Sequence, residues 1–330
     1  MNRLQNSAST LIADSLRGFS AAYPELMVDV EERIIFSTIS RAGRVGIVAG
    51  GGSGHEPMHG GFVGAGMLDA ACIGEIFTSP TPDQILCAAL KVDTGAGVLF
   101  VVKNYTGDVL SFEMAAELAQ AQGIHVATVI VGDEATPEAI SDGPGRRGMG
   151  TTLIVDKIAG AAAERGLPLE QVREIAQQVA DSGRSMGAGL SSCSLPALGR
   201  PTFDLPEGQM ELGVGIHGEP GRQRVPLQSA TQLSQTIVES ITAERSFQGR
   251  QVIAMLSGLG ATPLIELYSM FAELHDRLSE RQIPVARSLV GNYMTSLDMA
   301  GCSLTLVPVT DELLDLWDAP VNTPALRWKD

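Results

Sequence analysis

Basic residues are scarce in this chain: 23 Lys and Arg stand against 38 Asp and Glu, a formal net charge of -15 over 330 residues. A surface for phosphate backbones or anionic lipid needs clustered positive charge, which isolated pairs such as Arg146 and Arg147 do not supply. Neither nucleic acid nor a membrane is therefore expected as a partner. Cysteine is also sparse: Cys72, Cys87, Cys193 and Cys302 lie far apart without C-x-x-C spacing. That argues against a structural zinc site and fits buried thiols in a reducing compartment. No apolar run reaches membrane-spanning length, and Met1 to Tyr23 lacks the apolar core and small-residue cleavage site of a leader, so the chain is expected in the cytoplasm. Gly-Lys-Ser and Gly-Lys-Thr do not occur, which excludes a Walker loop as a nucleotide site. What is present, 44% hydrophobic and 18% charged residues, is enough for two ordinary cores.

Short β-branched runs bounded by glycine alternate with segments of helical period, the rhythm of an α/β protein. The expected fold has two domains, each a mostly parallel or mixed β-sheet covered by helices. Strands are expected at Val45 to Ala49, Val98 to Val102, His125 to Val131, Gly213 to Ile216, Gln251 to Leu256, Val285 to Val290 and Ser303 to Val309. Thr81 before Pro82 and Asp83, Ser111 before Glu113, Thr262 before Pro263 and Thr310 before Asp311 mark helix starts, while Gly123 and Gly166 mark stops. A helix over Leu169 to Ala180 and the small-residue stretch Asp181 to Ser194 separate a domain at 1–185 from one at 186–330.

Three segments carry candidate chemistry. Gly50 to Gly54 follows the first strand of the Gly-rich region, and four glycines in five positions let backbone N-H groups approach a small polar ligand. Such a loop at the carboxyl end of a strand lies where α/β sheets bind ligands. His55-Glu56-Pro57-Met58-His59 also matches H-E-x-x-H literally, but that zinc motif requires a continuous helix, and Pro57 biases Glu56 away from one. His59 reads as a capping or packing residue. Lys103 to Asp108, just past a strand, is either a solvated loop ion pair or a lysine that holds a substrate oxygen beside a carboxylate that accepts a hydroxyl proton. In the third segment, an apolar strand ending at Ile216 presents His217 between Gly215 and Gly218, open to a reacting carbon.

The strings GGGSGHEPMHGGFVGAGML, KNYTGD and GVGIHGEPG, followed by EIFTSPTPDQI, GRRG, GAAAERG, LGATPLIELY, TSLDMAG and LWDAPVNTPAL, resemble the dihydroxyacetone kinase family, specifically its separate K subunits, over nearly the whole chain. The resemblance implies that a ring nitrogen of His217 attacks the ketose carbonyl to form a hemiaminal, and that Asp108 and His55 act as acid and base groups. It places Gly52, Ser53, Gly54, His55, Lys103 and Asp108 at substrate-binding positions. No metal site and no cofactor are implied in this chain: ADP and Mg belong to a partner L subunit, recharged by a phosphotransferase-system protein. A homodimer, dihydroxyacetone or a similar small ketose as ligand, and phosphoryl transfer to a substrate hydroxyl complete the expectation. Two alternatives accompany it: a non-catalytic ketose-sensing paralogue acting on transcription, and a kinase for a longer ketose such as erythrulose. Family members often carry a longer charged stretch than Glu244 to Arg250 of this chain.

Overall fold

The computed structural model describes residues 3–39, 42–135 and 145–328. They form two units: one comprises Met1–Val131, Thr152–Ala180 and Leu313–Asp330, the other Gly132–Thr151 and Asp181–Glu312. The chain thus passes between units at 131/132, 151/152, 180/181 and 312/313, not once at 185/186.

In the first unit α1 (Leu11–Ala22) leads into the antiparallel strands β1 (Leu26–Asp29) and β2 (Ile34–Ser37). There follow β3 (Gly46–Ser53), β4 (Ala70–Ile76), α2 (Pro82–Val92), β5 (Val98–Lys103), α3 (Thr106–Ala121) and β6 (Val126–Val131). The sheet runs β1-β2-β4-β3-β5-β6, with β3 parallel to β4 and β5, and β5 parallel to β6. β5, Val-Leu-Phe-Val-Val-Lys, is buried along its whole length, as a central parallel strand covered on both faces must be. Thr81 and Gln84 form a reciprocal capping box and Pro82 opens α2, the start expected from sequence. α2 and α3 lay Ile85, Ala89, Phe112 and Ala115 on the sheet residues Val48, Val98 and Phe100. α3, however, starts at Thr106, so Ser111 lies inside the helix instead of before it.

α4 (Thr151–Glu164) is buried from Thr151 through Ala163, yet carries Asp156 and Lys157, both 0% exposed. α5 (Leu169–Ser182) closes this stretch, as expected.

The second unit contains β7 (Arg184–Gly189), β8 (Gln209–Leu212), β9 (Gln223–Pro226), α6 (Ala230–Glu244), β10 (Val252–Gly258), α7 (Leu264–Glu280), β11 (Val285–Gly291) and β12 (Gly301–Pro308). Its order is β11-β10-β12-β7-β8-β9, and among the described residues only β10 and β11 pair in parallel. This sheet is therefore mixed and mostly antiparallel. α6 and α7 bury Leu233, Ile237, Val238, Leu267, Leu274 and Leu278 against β10 and β12. The stretch Asp181 to Ser194 includes β7, so it is part of the sheet and not a linker.

The chain then returns to the first unit as α8 (Asp311–Asp318), β13 (Val321–Asn322) and β14 (Arg327–Trp328). The Lys157 ammonium donates to the Leu316 carbonyl at 2.8 Å, and Trp328 lies 5.6 Å from it. Among the described residues no helix is long and apolar enough to cross a membrane.

Candidate functional site

The Gly-rich segment is not a loop from Gly50 onward. β3 continues to Ser53, pairing Gly50, Gly51 and Gly52 with Cys72, Ile73 and Gly74 of β4. What glycine provides here is close approach: a β-carbon at Gly51 would collide with Nζ of Lys103, whose side chain is fully buried. The turn begins at Gly54, whose φ of 99° suits glycine, and its N-H donates to the Glu56 carboxylate. Ser53 Oγ donates to the Gly74 carbonyl at 2.7 Å. His55 is 0% exposed and stacks on Phe77 with ring centroids 5.2 Å apart. The residues from His55 to His59 form turns, not the continuous helix an H-E-x-x-H zinc site needs.

β3 and β5 are parallel neighbours, so their carboxyl ends lie at one edge of the sheet. There Lys103, the last residue of β5, donates to the Gly50 carbonyl at 3.0 Å, meets His59 Nε2 at 2.6 Å and lies 3.8 Å from Asp108 Oδ2. Asp108, in the first turn of α3, is 2% exposed. Lys103 and Asp108 are therefore a buried pair and not a solvated loop pair. On its other side, His59 Nδ1 faces Asp156 Oδ2 of α4 at 3.7 Å. Burial lowers the Lys103 pKa, an effect partly offset by Asp108 and Asp156. Burial, then the charge of Lys103, then His55, hold His59 well below the usual imidazole range. Burial pushes the Asp156 carboxyl well up, against the pull of Lys103.

In the second unit β8 ends at Leu212, and Gly213 turns away with φ 71°. Gly213 to Ile216, expected as a strand, is irregular backbone: the Gly213 N-H still bonds Gly187 of β7, but its carbonyl accepts from Arg147 and the chain leaves the ladder there. His217 therefore sits on a loop. Its N-H donates to Glu219 Oε2 at 2.8 Å, and Glu219 Oε1 accepts from Arg147 Nη1 at 2.5 Å. Arg147 also pairs bidentately with Glu134, 1% exposed in its side chain, and Arg222 grips the same carboxylate from Nε at 3.2 Å and Nη2 at 2.6 Å. Burial alone would raise the Glu134 pKa, but the hydrogen bonds from Arg147 and Arg222 bring it below the usual carboxylate value. Gly215 has no room for a side chain, because a β-carbon would strike Glu219.

The structure thus gathers Lys103, Asp108 and the Gly-rich end of β3 in one unit, with His55 on the adjoining turn, and puts His217 in the other. Residue-level reading missed His59 and Asp156, and it missed the chemistry of Arg147, Glu134 and Glu219. One signal was available for the first pair: Asp156-Lys157 interrupts the apolar run of a helix, where charges are placed only at a cost.

A family model described as the Dak1 domain matches residues 17–325. The chain is 42% identical over 354 residues to the PEP-dependent dihydroxyacetone kinase, dihydroxyacetone-binding subunit DhaK, of Escherichia coli, with 99% of each chain covered. It is 39% identical over 332 residues to the L-erythrulose 1-kinase of Mycolicibacterium smegmatis, where 99% of this chain spans 58% of that protein. Among solved structures it is similar to the dihydroxyacetone kinase operon co-activator Dha-DhaQ, with a TM-score of 0.90, 33% identity, and coverage of 95% of this chain and 97% of the other.

Proposed function

The chain belongs to the Dak1 family of dihydroxyacetone kinases, phosphotransferases with an alcohol acceptor, and from that premise we propose that it is the ketose-binding subunit, working with a separate nucleotide-bearing L subunit. The observation that carries this reading is the Lys103–Asp108 pair, buried at the carboxyl end of β5 where the resemblance puts substrate contacts. A carboxylate kept in the interior opposite a lysine is suited to accept one proton from a hydroxyl as that oxygen attacks phosphorus.

In this mechanism a neutral ring nitrogen of His217 adds to the ketose carbonyl carbon, the carbonyl oxygen gains a proton, and the ring loses one, giving a hemiaminal. The adduct fixes a small flexible substrate that offers few groups for recognition. Lys103, together with backbone groups of Gly52, Ser53 and Gly54, binds substrate oxygens. His55 exchanges a proton at a substrate hydroxyl, and Asp108 takes the proton from the hydroxyl that becomes phosphorylated. The phosphoryl group comes from ADP-linked chemistry on the L subunit, charged in turn by a phosphotransferase-system protein. The K subunit itself works as a homodimer and needs no cofactor of its own.

Reconstitution tests this. The purified chain with ATP and magnesium should form no dihydroxyacetone phosphate, whereas adding the L subunit and its phosphoryl donor should give sustained turnover. No turnover from the complete mixture would overturn the reading. The similarity to a co-activator supports one alternative, a ketose sensor. A sensor needs the adduct but not Asp108 and His55 as proton-transfer groups, so binding without turnover would favour it. The similarity to an erythrulose kinase supports the other, and running the assay with both ketoses decides it by kcat/KM.

A further inference from the structure

We propose that His59, backed by Asp156, is a positioning residue that fixes the Lys103 ammonium and, through it, keeps Asp108 in its working state. The inference rests on the kinase reading for its functional part and on geometry for the rest.

An ammonium has three N-H groups and no acceptor. At Lys103 they are matched by three groups: the Gly50 carbonyl at 3.0 Å, His59 Nε2 at 2.6 Å and Asp108 Oδ2 at 3.8 Å. Because Lys103 is 0% exposed, no water can replace a lost acceptor without rearrangement. His59 can accept at Nε2 only with its own proton on Nδ1, and that proton faces Asp156 Oδ2. At 3.7 Å this contact is electrostatic and not a hydrogen bond, and an oxygen on that side favours the ring tautomer that Lys103 needs.

Among the described residues neither carboxylate oxygen of Asp156 has a hydrogen-bond partner within normal distance, and the residue is 0% exposed in a helix that is buried from Thr151 through Ala163. The charged and titratable groups around His59 come from four elements: Lys103 from β5, Asp108 from α3, Asp156 from α4, and His55 from the turn after β3. Among the described residues a neutral His59 is the only non-charged side-chain acceptor for Lys103. Removing it leaves a desolvated ammonium short of a partner, and the lysine then loses its proton more readily.

The test has one readout independent of activity. In protein labelled at lysine, the Lys103 side-chain NMR resonance, assigned by its loss in Lys103→Met, is titrated with pH. His59→Leu should move its midpoint down by about one unit or more, and His59→Gln, whose amide oxygen can accept from Nζ, should restore at least half of that. With the L subunit and donor supplied, His59→Leu should lower kcat about tenfold or more, leave the ketose KM within about threefold, and shift the alkaline limb of the kcat profile toward lower pH. Asp156→Asn should give the same pattern at smaller amplitude, and it carries the test if His59→Leu does not fold. An unchanged Lys103 midpoint in folded His59→Leu overturns the proposal, as does a midpoint in His59→Gln lowered as far as in His59→Leu, or a rise in KM with kcat intact. If the midpoint moves as described but wild-type protein shows no turnover, the kinase reading fails while the coupling of His59 to Lys103 stands.

Discussion

In the first unit the candidate groups are held by burial: Lys103, His59, Asp108 and Asp156 are almost fully enclosed, with Lys103 at the end of a strand, Asp108 and Asp156 on helices and His59 in a turn. The His217 loop of the second unit is held differently. It leaves its sheet at Gly213 and is tied by a ladder of ion pairs running from Glu219 through Arg147 to Glu134 and Arg222, whose side chains range from 1% to 36% exposed. Burial suits groups that must keep unusual protonation behaviour, since low dielectric is what shifts a pKa. Ionic bracing suits the nucleophile proposed for this half-buried loop, where the ring must stay reachable while its backbone stays still. The division predicts that damage at Asp108 appears in the chemical step and damage to the bracing of the His217 loop in ketose capture.

The largest effect that would break or uphold this division is at Asp108. Asp108→Asn keeps the shape but removes the proposed base, and it should lower kcat by about a hundredfold or more while ketose affinity measured by calorimetry changes little. A comparable loss of affinity would place Asp108 in binding instead. Next is Glu134→Gln, which leaves Arg147 and Arg222 around a neutral amide. It should cost about 3 kcal/mol in denaturant unfolding and weaken ketose binding about tenfold, with a smaller change in kcat at saturation. Finding the loss entirely in kcat would erase the distinction between the units.

Gly215→Ala pushes against Glu219 and should loosen the His217 backbone, weakening ketose binding several-fold while global stability falls by about 1 kcal/mol. Unchanged binding would mean that the Glu219 brace does not govern His217.

The smallest effect concerns Lys157, which burial pulls down to a pKa of about 7 from 10.5. The folded state sheds this proton near pH 7 and the unfolded chain only near pH 10.5, so between those values the unfolded state binds more protons and stability rises with pH. Wild-type Tm should climb by about 2 °C per pH unit more between pH 7 and 9 than that of Lys157→Met. Equal slopes would contradict it.

Much of the fold was legible because its strands are conventional. Val98 to Val102 and Gln251 to Leu256 are near-continuous apolar runs, and β5 and β10 lie there within two residues. Thr81-Pro82-Asp83-Gln84 carries all the signals of a helix start, and α2 begins there. Of the strands that went unread, β7, Arg-Ser-Met-Gly-Ala-Gly, and the exposed β9, Gln-Arg-Val-Pro, have compositions that argue against strands, whereas β1, β2 and β8 are only four residues long and β4 follows a run of turns. Gly50 to Gly52 read as a loop because glycine is a turn residue in general, whereas here it serves a close approach set by Lys103, 52 residues after Gly51. The mostly antiparallel second sheet was hidden for a related reason, since strand direction depends on connections across long stretches and not on local pattern. Of the candidate site, His55, Lys103 and Asp108 could be singled out because they lie at or just past strand ends, whereas His217 stood out for its flanking glycines, the strand expected before it being irregular backbone. His59 could not, because its meaning comes from Asp156, 97 positions further along the chain.

The central claim, that the chain holds a ketose on His217, is tested most directly by crystallography of the protein soaked with dihydroxyacetone, without nucleotide or partner. The account predicts continuous density from a His217 ring nitrogen to the central carbon of the ketose, lost in His217→Ala and absent with glycerol, which has similar hydroxyls but no carbonyl. Ketose held in the wild-type protein by hydrogen bonds alone, or a covalent adduct on another residue that persists in His217→Ala, would contradict it.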